Sequence, residues 1–474
     1  MKNLLLISST LVLSALLAAC SDDDDPTPTA QIRAIHAVPD APPVNIKLNG
    51  NAAVTTLDYA ENSGFATARA GTYDIAVEAI IPGGNLDVIT VNDADLTQGT
   101  QTTVFAVGTV DSGDADALEA LVVPEPTNEP ASNEVVIKVV HAAPVADAVD
   151  IYVTAPGAAL AGETPIDANY KASAELPAPV AVGNYQVRIT EDGNAANVLY
   201  DSGSIDFTPF AGQKLLVAAM NTSNATEAAA SPVKLVAINN TTQVEILDTD
   251  TQTGAKVVHL SPDAGTAVGA VEVFANDVVE LIDSFEYADV VADASTYALV
   301  DAGTYDFDVS DDDDVNDPPA ANFSLDGAEL AAGAETTVIA VGYVATSPEF
   351  DLIASADENR AYATHARVKV IHGAAAVGDV DVYVAPAGDF STADINAGNG
   401  PNALLEDFSF KSDSGYVDVA ADAYDIFVVD AVSETVAIEA NNVAIGTGDV
   451  LTVIARGPDG DGTPGSAGLL VLTN

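Results

Sequence analysis

Four of the five histidines in this 474-residue chain open the same phrase. His36 stands in "IRAIHAVPDAPPVNIKLNG", His141 in "IKVVHAAPVADAVDIYVTAPG", His259 in "AKVVHLSPDAGTAVGAVEVFAN" and His372 in "VKVIHGAAAVGDVDVYVAPAG". An imidazole can be a general base, a metal ligand or a two-ended hydrogen-bonding group. Metal binding fits poorly, because the four lie 105, 118 and 113 residues apart. A zinc site needs four protein ligands, or three and a water. The remaining histidine, His365, lies seven residues before His372 with Asp379 nearby, a weak ligand set. Each recurrent histidine instead follows a short apolar run and precedes a turn, with Pro39, Pro144 or Pro262 in the first three. There an imidazole can bond the backbone groups left open where a strand leaves its sheet, while proline holds the turn. A structural role for His36, His141, His259 and His372 is therefore the expectation.

Other chemistry is sparse. Nucleophilic catalysis needs a nucleophile, a base and an orienting group. The only thiol is Cys20, and there is no G-x-S-x-G, no phosphate-cradling glycine loop and no H-E-x-x-H. Carboxylate pairs of the glycosidase kind say little in a chain with 71 acidic residues. No enzyme is expected, and a hydrolase is the remote alternative. Calcium, which takes six to eight oxygens, is the one cofactor suggested. "DFDVSDDDDVND" gathers Asp306, Asp308, Asp311, Asp312, Asp313 and Asp314, and "GPDGDGTPG" spaces Asp459 and Asp461 by glycine. A solvated hairpin tip is the plainer reading of both. A third candidate is a pair on the strand after each phrase: Asp150 with Tyr152, Glu272 with Phe274, and Asp381 with Tyr383. An acid beside an exposed aromatic suits a protein or glycan partner, and a contact with a second sheet or a neighbouring domain is the plainer reading. The first copy breaks this pattern with Lys47.

Strands must carry these residues. The run after each histidine alternates with period two: Val44, Ile46 and Leu48 oppose Asn45 and Lys47, and Val380, Val382 and Val384 oppose Asp381 and Tyr383. A second landmark follows each copy, "AGTYDIAV" with Tyr73, "VGNYQVRI" with Tyr185, "AGTYDFDV" with Tyr305 and "ADAYDIFV" with Tyr424. These fit a tyrosine corner, whose hydroxyl bonds backbone upstream. A third landmark is the run "TTVFAVG", "KLLVAAM", "TTVIAVG" or "LTVIARG", and a short closing strand ends each copy. Three landmarks in one order, four times, mean four copies of one domain. The fold expected is all-β: four tandem immunoglobulin-like or transthyretin-like β-sandwiches over residues 31–124, 134–238, 254–355 and 366–474.

The histidine phrase before V-D-V-Y-V, the G-T-Y turn and the T-V-x-A-V-G run resemble the bacterial domain-of-unknown-function family 4397. That resemblance covers nearly all of the chain after the first thirty residues. It implies all-β units in secreted or lipid-anchored proteins, and no activity. The fourth copy departs from it, with Ala375 in place of proline and Asp422 in place of glycine.

The N-terminus points the same way. Residues 1–19 have an early Lys2, an apolar stretch and small residues before Cys20, the form of a secretory signal. "LAAC" resembles a lipobox, which implies cleavage before Cys20 and lipidation of its thiol, with the membrane as a partner through that lipid. The acidic, proline-containing stretch 20–30 reads as a tether. Ser21 after Cys20 favours the bacterial outer membrane by resemblance to enterobacterial sorting, with the leaflet left open. A net charge of −56 repels nucleic acid. The function expected is a non-enzymatic, lipid-anchored cell-envelope stalk or adhesion and interaction module. The alternative is an extracytoplasmic carbohydrate- or calcium-binding protein.

Overall fold

The computed structural model describes residues 27–110, 116–126, 128–222, 228–240, 242–261, 271–276, 279–285, 297–310, 323–343, 350–457 and 468–473. Cys20, Asp311, Asp312, Asp313, Asp314, Asp459 and Asp461 lie outside the described residues.

Each copy folds as two facing sheets. In the first copy, one sheet runs in the order Ala66–Arg69, Thr29–His36, Gln101–Val107, Glu119–Pro124. The other runs Asn51–Leu57, Val44–Leu48, Gly71–Ala79, Leu86–Leu96. The histidine-bearing opening strand recurs as Glu134–His141, Thr253–Leu260 and Ala366–His372. In every copy it pairs in parallel with the strand of the third landmark, and antiparallel neighbours complete the sheets. The residue opposite the histidine is always alanine: Ala106, Ala219, Ala340 and Ala455. All-β sandwich repeats are therefore the architecture of this chain.

Alternation explains the landmark strands, which present Val44, Ile46 and Leu48 to the core between the two sheets. The opening strands behave differently. Glu134–His141 is buried at every position after the first, and Thr253–Leu260 is buried throughout. Such two-sided burial favours a largely apolar run over alternation. In the first copy Ile32 and Ala34 face the sandwich interior, while Ile35 and Ala37 enter a separate cluster with Val140, Leu216 and Ile238 of the second copy. Val258 and Ile339 of the third copy meet Ile371 and Ile454 of the fourth in the same way. Contacts accordingly divide the chain into two compact units, the first ending at Asp250 and the second beginning at Thr251, apart from a short exchange at Ala228. Each unit holds two copies joined face to face.

Candidate functional site

On the Nδ1 side the histidine turn has one geometry throughout. Nδ1 accepts a hydrogen bond from the backbone N–H two residues on: Val38 at 3.2 Å, Ala143 at 3.4 Å, Ser261 at 3.3 Å and Ala374 at 3.3 Å. Nε2 of His36 lies 3.0 Å from the Pro42 carbonyl, and Nε2 of His372 lies 2.9 Å from the Gly378 carbonyl. An accepting Nδ1 and a donating Nε2–H define the neutral tautomer. All four rings are essentially inaccessible. Burial pushes His141 and His372 below the ordinary imidazole value.

The tyrosines bond upstream, each to the carbonyl four residues back. Tyr73 reaches Arg69 (3.0 Å), Tyr185 reaches Ala181 (2.8 Å), Tyr305 reaches Asp301 (2.6 Å) and Tyr424 reaches Ala420 (2.9 Å). Asp422 replaces glycine without disturbing the last of these. The residue after the tyrosine has a role that sequence reading missed. Oδ1 of Asp74, Asp306 and Asp425 accepts the N–H of Asp93, Gly327 and Asn442 respectively, residues at positive φ that bulge the neighbouring strand. Two of the residues read as candidate cation ligands, Asp306 and Asp308, have partners within the fold. Asp306 latches a bulge, and Asp308 is buried and accepts the Ser324 hydroxyl at 2.6 Å. Among the described residues, no group of three or more His, Cys, Asp or Glu is placed to hold a metal ion.

The acid–aromatic pairs are wholly or partly covered by the fold rather than exposed. Asp150 and Tyr152 are 4% and 5% accessible, Glu272 and Phe274 are buried, and Asp381 and Tyr383 are half-buried. In the second copy the stretch 155–165 folds back towards this face, with Leu160 buried and Arg188 donating to the Ala158 carbonyl. In the fourth copy the capped helix Thr392–Asn396 sets Ile395 against Phe427, Val429 and Tyr383. Strand alternation shows which face a side chain takes but not what folds over it. Asp381 accepts the N–H of Asp407, another bulge residue. Asp150 accepts the Gly193 N–H at 3.0 Å through Oδ2, while its buried Oδ1 has no hydrogen bond. Burial, with Asp167 opposite on the next strand, raises its carboxyl above the usual range.

A family model for a domain of unknown function, DUF4397, matches residues 30–152 and 253–383. Those stretches are more than half of the chain and hold both complete odd-numbered copies. The chain belongs to the DUF4397 family. No curated protein matches it. Among solved structures, the TIE protein of Bacillus anthracis is 10% identical, with 90% of this chain and 68% of that one covered at a TM-score of 0.13. A candidate cell adhesion protein of Bacteroides eggerthii is 12% identical, covering 74% and 97% at a TM-score of 0.15. TM-scores this low carry no argument about role.

The DUF4397 copies share one more residue, which sequence reading passed over. Three positions before each histidine stands a basic side chain: Arg33, Lys138, Lys256 and Lys369. With only 15 basic residues in the chain, that recurrence was a visible signal. All four are at most 7% accessible. They point away from their own sandwich core and donate to backbone carbonyls of the other copy in the unit. Arg33 also pairs with Glu125 at 3.1 Å, and Lys369 with the buried Asp357 at 2.7 Å. Burying an unpaired charge is prohibitive, so each cation requires these partners.

Proposed function

We propose that this DUF4397 chain is a non-enzymatic, lipid-anchored protein of the bacterial cell envelope, acting as a multidomain stalk or as an adhesion and interaction module. The observation that supports this most is the fate of the recurrent reactive side chains. In each copy the imidazole, the phenol and the cationic group are hydrogen-bonded to backbone of the fold itself. Groups tied in this way maintain shape rather than turn over a substrate. The anchor rests on the signal-like residues 1–19, "LAAC" and Cys20. Among the described residues, no helix is long and apolar enough to cross a membrane. The test is metabolic labelling with an alkyne fatty acid in cells carrying the chain. Label and membrane fractionation should both be lost in Cys20→Ala, and label surviving that change refutes the anchor. Protease treatment of whole cells then reports which leaflet bears it.

One observation favours a second reading, an extracytoplasmic calcium- or carbohydrate-binding protein. Asp150 holds a buried oxygen without a hydrogen bond beside Asp167. Calcium titration read by melting temperature tests it. A rise that Asp150→Asn abolishes supports the reading, and a flat titration retires it.

A further inference from the structure

The bonds from the four basic residues are related by more than type. Arg33 faces Thr103 across its sheet, Thr103 faces Val123, and the next residue is Pro124. In the second copy the same path runs from Lys138 through Leu216 and Ile238 to Asn239. Across the unit the donors and acceptors are exchanged. Arg33 Nη1 donates to the Asn239 carbonyl at 2.8 Å, and Lys138 Nζ donates to the Pro124 carbonyl at 2.6 Å. In the second unit the equivalent carbonyls belong to Ala356 and Thr473. Lys256 takes Thr473 at 3.1 Å and Lys369 takes Ala356 at 2.9 Å. All four copies thus give a basic side chain from the same position and receive at the same strand-end carbonyl.

Two further contacts obey the same exchange. Tyr59 donates to the Asn221 carbonyl at 2.7 Å, while Tyr170 accepts the Gly108 N–H at 2.9 Å; Gly108 and Asn221 each lie five residues beyond the position facing the basic residue. At the margin Lys171 pairs with Glu119 at 2.8 Å, and Lys411 pairs with Asp351 at 2.5 Å. Both lysines follow the histidine turn at positive φ, and both acids begin the closing strand. A face that meets its own equivalent, residue i to j and j to i, is the mark of a two-fold interface between like subunits.

We propose that the face carrying the basic residue is a homotypic docking surface, and that its partner is the same face of another DUF4397 copy. This deepens the interaction-module reading by naming the partner. Each unit is a like-with-like dimer contained in one chain, held by the buried face and the exchanged cations rather than by the connecting segment.

The test uses the full chain with a specific protease site inserted between Ala131 and Ser132, cleaved under native conditions. The expected result is that the N-terminal fragment co-elutes with the remainder on gel filtration at low micromolar concentration. Tagged fragment should also exchange slowly into untagged cleaved protein. Arg33→Met with Lys138→Met should release the fragment, its affinity falling by on the order of 100-fold for two buried charged hydrogen bonds. Separation of the parent fragments overturns the docking face, and retention in the double variant overturns the cationic clasp. Should the double variant not fold before cleavage, the exposed margin decides. Lys171→Glu should speed release several-fold and Glu119→Lys in the same chain should restore it, and no effect from either change counts against the proposal.

Discussion

At the scale of single residues, the histidine is a clip between a strand end and its turn. Replacing His36 by Ala strands the Val38 N–H and the Pro42 carbonyl in a dry site, and should cost about 3 kcal/mol in urea unfolding. The pH dependence has a definite sign. Burial holds His141 and His372 below their ordinary value, so as pH falls through about 6.5 the unfolded chain takes up protons that the folded one refuses. Stability from these groups is therefore present above that pH and declines below it. Between pH 7.5 and 5.5 ordinary carboxylates stay ionised. The urea midpoint should drop over that interval, and a His141→Gln, His372→Gln double variant should flatten the drop. A parent equally stable at both values removes this account. The histidine and tyrosine roles were legible because both bond within about six residues of themselves, so local spacing carries the information. The role of Arg33 was not legible, because its acceptor at Asn239 lies 206 positions away.

At the scale of elements, the paired sheets depend on small latches. Asp306 offered two readings that one substitution separates. If it serves the bulge at Gly327, Asp306→Asn keeps the accepting oxygen and should leave the melting temperature nearly unchanged. Asp306→Ala should lose about 1 kcal/mol. A calcium ligand would instead give a calcium-dependent melting shift that Asn abolishes. Landmark strands announced their half-burial by alternation. The opening strands carried a different signal, a run such as "EVVIKVV" with no polar face to solvent, which is the pattern of burial on both sides. Its one interruption, Lys138, donates to the neighbouring copy.

At the scale of the molecule, pairing sets how many parts unfold. Calorimetry should resolve two cooperative transitions rather than four, because each unit shares one buried face between its copies. Four transitions of equal size would contradict this. Charge acts on the whole as well. Many of the few cations lie at the faces between copies, which leaves a surface dominated by the 71 acidic residues. Added sodium chloride should raise the melting temperature by screening their mutual repulsion, while the buried pairs are screened much less. From the sequence alone came four repeats, their sandwich class, the clipping histidines and the corner tyrosines, since periodicity and short-range spacing are properties of the chain itself. Only the tertiary structure decided that the copies join in twos and that the supposed binding pairs are covered. Both depend on which distant surface arrives on a strand's second face, and no local pattern encodes that arrival.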